Sequence, residues 1–143
     1  MTIRIALLAA WLACTAPAHA QGELYAAWLL DASRTDGPSM QVWRESETST
    51  VYTWRLVAGD GTLLAHKDQP RIPKGYTLNF GECRIAGKLR HDVLAIVRHR
   101  PKREWSADVR AVWVASPGQR AFVRRSKQGV TCRDEGFGIG PAE

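Results

Sequence analysis

The sequence predicts an all-β protein: a single antiparallel sandwich or small barrel of about seven or eight strands, closed by one disulfide. Three observations predict it. Apolar residues recur with a period of two along most of the chain, the spacing that places alternate side chains on one face of a strand. Clusters of Gly, Pro, Asp and Ser separate these runs at short intervals. Past the leader only two cysteines remain, Cys83 and Cys132, and an even pair in an oxidising compartment is most simply one bridge.

The leader comes first in the chain. Residues 1–20, MTIRIALLAAWLACTAPAHA, place Arg4 ahead of an apolar stretch from Ile5 to Ala13, with no acidic residue before Glu23. The stretch is far shorter than the roughly 20 residues of a membrane span. Ala18-His19-Ala20 has the small-x-small form of a signal peptidase site, so a signal peptide ending at Ala20 is expected, followed by one exported β domain over residues 21–143. A lipid-modified Cys14 competes with this reading, but Trp11-Leu12-Ala13 is a poor match to the leucine-small-small context it requires. The remainder holds no transmembrane segment, and the protein is expected to be periplasmic or secreted.

Leu24 to Leu30, LYAAWLL, fits strand or short helix by period; its length and aromatics favour strand. Gln41-Val42-Trp43-Arg44 is a brief strand, polar on its far side, which makes Trp43 the tryptophan expected to be exposed. Val51 to Val57 puts Tyr52, Trp54 and Leu56 on one face. Gly59-Asp60-Gly61 then joins it to Thr62-Leu63-Leu64-Ala65 as a hairpin, because glycine tolerates positive φ. After Pro70 and Pro73 comes Tyr76 to Phe80, with a bulge expected at Gly81. Val93-Leu94-Ala95-Ile96-Val97 is apolar on both faces, as a central strand must be. Trp105 to Trp113 reads as one strand carrying Trp105, Ala107, Val109, Ala111 and Trp113 on one face, and Ala121 to Val123 follows the Ser116-Pro117-Gly118 turn. Trp54, Trp105 and Trp113 are accordingly expected in the core.

Charge is uneven. Without the leader the chain carries nineteen basic and fourteen acidic side chains, and residues 84–127 alone hold twelve basic against three acidic. If the fold gathers them on one face, that third of the chain creates a field attracting anions. The densest stretch is Val97 to Trp105, VRHRPKREW. Pro101 cannot continue a central ladder, so the stretch is expected to be the tip of a hairpin between the Val93 and Trp105 strands. The candidate binding residues are therefore Arg98, His99, Arg100, Lys102, Arg103 and Trp105, with Trp43 as a separate aromatic candidate. Clustered cations at a loop also keep it soluble and guard strand edges, and a basic surface without a dedicated ligand is the competing reading.

Catalytic chemistry finds little footing. There is no Gly-x-Ser-x-Gly elbow, although a triad assembled from distant residues is recognisable only by geometry. His91-Asp92 is the one adjacent base–acid pair, and neighbours on a strand face opposite ways. His91 and His99 lack a thiolate or a His-Glu-x-x-His helix beside them, so no metal site is expected. The glycine-rich tail Glu135 to Gly140 lacks the strand-then-helix setting of a phosphate loop and reads as an irregular tail tethered through Cys132. Cys83 and Cys132 are too far apart for a Cys-x-x-Cys redox motif; they read as a staple.

The segment Gly129 to Gly138, GVTCRDEGFG, taken with Gly81-Glu82-Cys83 and the strand Asp92 to Val97, resembles a family of small exported bacterial proteins with a Gly-Val-x-Cys-x-x-Glu-Gly-x-Gly tail, over about the last 60 residues. No activity attaches to that family. The resemblance implies export and a disulfide, and no active-site residue. The expected function is a non-enzymatic binding protein, of an inhibitor, immunity or envelope-accessory kind, that meets an acidic protein or an anionic envelope component. Binding to envelope glycan or lipid headgroups is the alternative, and an envelope hydrolase is more distant. No cofactor is expected, and export makes nucleic acid a poor partner.

Overall fold

The structure, a computed structural model, describes residues 22–49 and 51–134. The expected leader and the Glu135 to Gly140 tail lie outside the described residues. Twelve strands and no helix occur among those described: β1 (Glu23–Leu29), β2 (Ser39–Arg44), β3 (Tyr52–Val57), β4 (Leu63–Asp68), β5 (Tyr76–Phe80), β6 (Cys83–Ile85), β7 (Lys88–Arg90), β8 (Val93–Arg98), β9 (Trp105–Ser106), β10 (Val109–Ser116), β11 (Ala121–Arg125) and β12 (Val130–Arg133).

They form three four-stranded antiparallel sheets, ordered β1-β2-β3-β4, β11-β10-β8-β5 and β7-β6-β12-β9. The arrangement is sandwich-like and is not a closed barrel. The middle sheet is the reason. On one face Leu94, Ile96, Ala111, Trp113 and Ala115 pack against Met40, Val42, Trp54 and Leu56 of the first sheet. On the other, Val93, Ala95, Val97, Val109, Val112 and Val114 pack against Cys83, Val130 and Cys132 of the third. A strand covered on both sides has no use for polar alternation, which accounts for the unbroken apolar run of β8 and of most of β10.

The Asp-Gly turn forms as expected: Ala58 N–H donates to Thr62 O (2.8 Å), and Gly61 adopts φ +88°. Gly81 follows β5 with φ +79°, and a Cβ there would stand 2.9 Å from Trp28 Nε1. Trp28 fills that space, stacking on Phe80 at 5.2 Å and donating to His91 O at 2.7 Å. Cys83 and Cys132 are directly opposed on β6 and β12 and form the disulfide.

Two expectations are corrected. Trp105 to Trp113 is not one strand. The chain leaves the third sheet after Ser106, re-enters the middle sheet at Val109, and bulges between Val109 and Ala111. Each break resets the period, so Trp105, Val109 and Trp113 end in three different settings. Trp105 is half-buried on the outer face of the third sheet, under the Arg84 guanidinium at 3.7 Å, and is no part of the core with Trp54 and Trp113. The count also exceeds the expected seven or eight, because β6, β7, β9 and β12 are only two to four residues long.

Candidate functional site

The basic stretch leads out of β8. β8 pairs with β10 and β5, while β9 pairs with β12. The segment from Arg98 to Glu104 opens the connection between β8 and β10, which pair antiparallel, so it lies in the loop of a hairpin as expected; that loop is long enough to lend β9 to the third sheet. The ends of the segment are fixed by Arg98 N–H to Asp108 O (2.9 Å), His99 N–H to Gly75 O (2.9 Å) and Asp134 N–H to Glu104 O (2.8 Å). Between them, Arg103 N–H closes a turn onto Arg100 O (2.9 Å) around Pro101 and Lys102.

Asp134 clamps this loop. Its carboxylate is wholly buried, takes the Arg100 backbone N–H and meets His99 Nδ1 at 2.9 Å. A buried carboxylate needs such donors, since leaving it unmatched costs several kcal/mol. The loop is thus pinned at its backbone while its cationic side chains stay outside. The His99–Asp134 contact has the form of an oriented base. Among the described residues no serine or cysteine side chain bonds to that imidazole, and no group of three or more metal-ligating side chains forms.

Around a second carboxylate the guanidinium groups collect. Asp108 Oδ2 lies 3.0 Å from Arg98 Nε and 3.2 Å from an Arg100 terminal nitrogen. The Tyr76 ring, opposite Arg98 on β5, carries the Arg98 guanidinium at 4.9 Å and that of Arg110 at 5.8 Å. Arg110 is the residue absorbed by the β10 bulge, which turns it outward. An open cleft of about 610 Å³ runs beside Asp108, with Ala107 to Val109 on one wall and Ser126 to Thr131, including Lys127, on the other. Two guanidinium groups thus share the Asp108 carboxylate, a third lies over the same Tyr76 ring as Arg98, and Lys127 lines the cleft that Asp108 borders. Arg98, Arg100 and Asp108 have side chains 40–48% exposed, so their pairing contributes about 0–1 kcal/mol each and serves to hold the groups in place.

The predicted residues are divided by this geometry. Arg98 and Arg100 belong to the cluster; His99 faces the buried clamp. Lys102 and Arg103 are exposed and have no acidic partner among the described residues. Trp105 directly follows the loop, but its ring packs under Arg84, and Trp43 is on another sheet. Trp43 lies on the outer face of the first sheet, half-buried, with Arg55 over its ring at 4.5 Å and its Nε1 donating to Gln41 at 2.8 Å. The twelve basic residues of 84–127 are not gathered on one face either. Arg120 sits at the β10–β11 turn, at the opposite end of β10 from Arg110, and Arg84, Lys88 and Arg90 belong to the β6–β7 hairpin.

Asp108, Asp134, Tyr76, Arg110 and Lys127 were not singled out by sequence reasoning. Asp108 left a signal: aspartate is poor in strands, and here it interrupts an otherwise regular alternation at the point where the chain changes sheets. Comparison with protein-family models, with curated proteins and with solved structures finds no match for the chain. The chemistry of the site must be read from its own residues.

Proposed function

We propose that this is a non-enzymatic exported protein that binds an acidic macromolecule, in the manner of an inhibitor, an immunity protein or an envelope accessory. The observation carrying the reading is the meeting of Arg98 and Arg100 on the Asp108 carboxylate, with Arg110 beside Arg98 on the Tyr76 ring and Lys127 lining the open cleft that Asp108 borders. Arginine presents a planar fork of donors suited to carboxylate or phosphate. Groups already positioned by Tyr76 and Asp108 lose less conformational freedom on binding than free side chains would. Lys102 and Arg103, on a loop pinned by Asp134, extend the positive field and draw an anionic partner inward. The exported location is supported by the disulfide and by the form of the leader. Among the described residues no helix is long and apolar enough to cross a membrane.

Recovery from an envelope extract tests the reading. The wild-type chain is expected to retain an acidic protein that the variant with Arg98, Arg100, Arg110 and Lys127 all changed to Ser does not. Equal recovery by both rejects the site. Parallel titration with envelope polysaccharide and with anionic vesicles across a salt series separates the partner classes. Steep loss of binding with salt in either case assigns the cluster to that polymer or headgroup instead.

A further inference from the structure

A separate cleft opens between the first and middle sheets, away from the arginine cluster. Its floor is the core residue Val42; Leu78 and Phe80 of β5 form one wall, Tyr25 and Tyr52 the other, and Ile72 and Gln69 close an end, around about 250 Å³. Past Tyr52, Gln69 and Ile72 it adjoins a second groove that also takes in Pro70 and Arg71. We infer that this cleft binds a small amphiphilic acid, with its apolar body against Leu78, Phe80 and the two tyrosines and its anionic group at Arg71.

Three features support the assignment. The volume falls below the roughly 300 Å³ at which drug-sized pockets begin, so the occupant is a short acyl chain or a single substituted ring. The interior is apolar with few polar groups, the composition that rewards transfer of a hydrocarbon from water. Beyond the two tyrosine hydroxyls, the polar groups are Gln69 in the cleft and Arg71 in the adjoining groove. Gln69 is held by its N–H to Tyr52 O (2.9 Å), and its Oε1 accepts from Trp54 Nε1 at 3.5 Å, which leaves its amide N–H groups as donors toward the cleft. Arg71 is exposed in the adjoining groove, next to the shared Ile72, and has no acidic partner among the described residues. The other nearby guanidinium, Arg44, is engaged by Glu23 at 3.2 Å and by Glu47 O at 3.1 Å while it covers Tyr25 at 5.3 Å. The free cation therefore fixes the polarity of the ligand.

The test titrates the purified protein with sodium octanoate, with 1-octanol and with sodium acetate, read by amide chemical shifts and by calorimetry. Octanoate is expected to shift Tyr25, Tyr52, Leu78 and Phe80, octanol to bind more weakly at the same residues, and acetate to do neither. Arg71→Gln should weaken octanoate about threefold to tenfold and leave octanol unchanged, as expected for one exposed charge-assisted contact. Ile72→Trp should abolish binding of both by filling the cleft. Tyr25→Ala, at a half-exposed edge position, should weaken both should the tryptophan variant fail to fold. Absence of shifts at these residues overturns the inference, and so does displacement of octanoate by acetate or indifference of octanoate to Arg71→Gln.

Discussion

Replacing Asp134 by alanine removes the acceptor on which the basic loop depends, and the loss can be estimated from the contacts. The carboxylate is wholly buried, and it receives the Arg100 backbone N–H and His99 Nδ1 at 2.9 Å. Without it the Arg100 N–H keeps no acceptor in a site that water reaches poorly, at a cost of about 1–3 kcal/mol. His99, about one third exposed, turns partly to water and adds less. The total is about 3 kcal/mol, or a fall of about 10 °C in melting temperature for a domain of this size. Asp134→Asn should be milder, about 1 kcal/mol, because its carbonyl can take the Arg100 N–H while His99 changes tautomer to accept from the amide. Asp108→Ala should cost under about 1 kcal/mol, since its partners are half exposed. Thermal melts give the order, and amide hydrogen exchange gives the location: Arg100 N–H should lose protection in the alanine variant. An alanine variant within about 0.5 kcal/mol of wild type, with Arg100 still protected, would refute the clamp.

Three further outcomes follow from the same structure. Changing Cys83 and Cys132 together to alanine opens a loop of sequence separation 49 and should cost about 4 kcal/mol by chain-entropy arithmetic; urea unfolding showing less than about 1 kcal/mol removes the staple. Gly81→Ala meets both a φ of +79° and the Trp28 indole at 2.9 Å, so a destabilisation of about 2–3 kcal/mol should accompany a change in tryptophan emission; unchanged emission and stability would contradict the packing. The Ser33 hydroxyl, followed by its backbone N–H, holds the Asp31 carboxyl below the usual aspartate range. A depressed folded pKa supports the turn above the unfolded value and is lost as pH falls through the folded one, so Ser33→Ala should raise the Asp31 midpoint in an NMR titration, and an unmoved midpoint would reject that hydrogen bond as the cause.

What the sequence makes legible is whatever depends on near neighbours. Val93 to Val97 announces a strand buried on both faces, and Gly59-Asp60-Gly61 announces its turn, because each depends on steric and apolar preferences within a few residues. The cysteine pair is legible because chemistry allows so few alternatives. The short strands are not: Cys83–Ile85 and Lys88–Arg90 are charged, brief and at or near an edge, where alternation is weakest. Trp105 misleads for a different reason. The alternation continues through Ala107 although the chain has changed sheets, and only the pairing of β9 with β12 shows the change. As for the site, the sequence displays the cations of the loop but hides their partners. Asp134 lies 34 residues from Arg100 in the chain, and Arg110 reaches Tyr76 only because a bulge turns it outward.

Amide chemical-shift mapping during titration with an acidic polypeptide at low salt tests the binding surface most directly. Saturable shifts are expected at Tyr76, Arg98 to Glu104, Arg110 and Lys127, fading as salt is raised. Shifts centred on Trp43 and the outer face of the first sheet, or none at all, would contradict the arginine cluster as the binding surface.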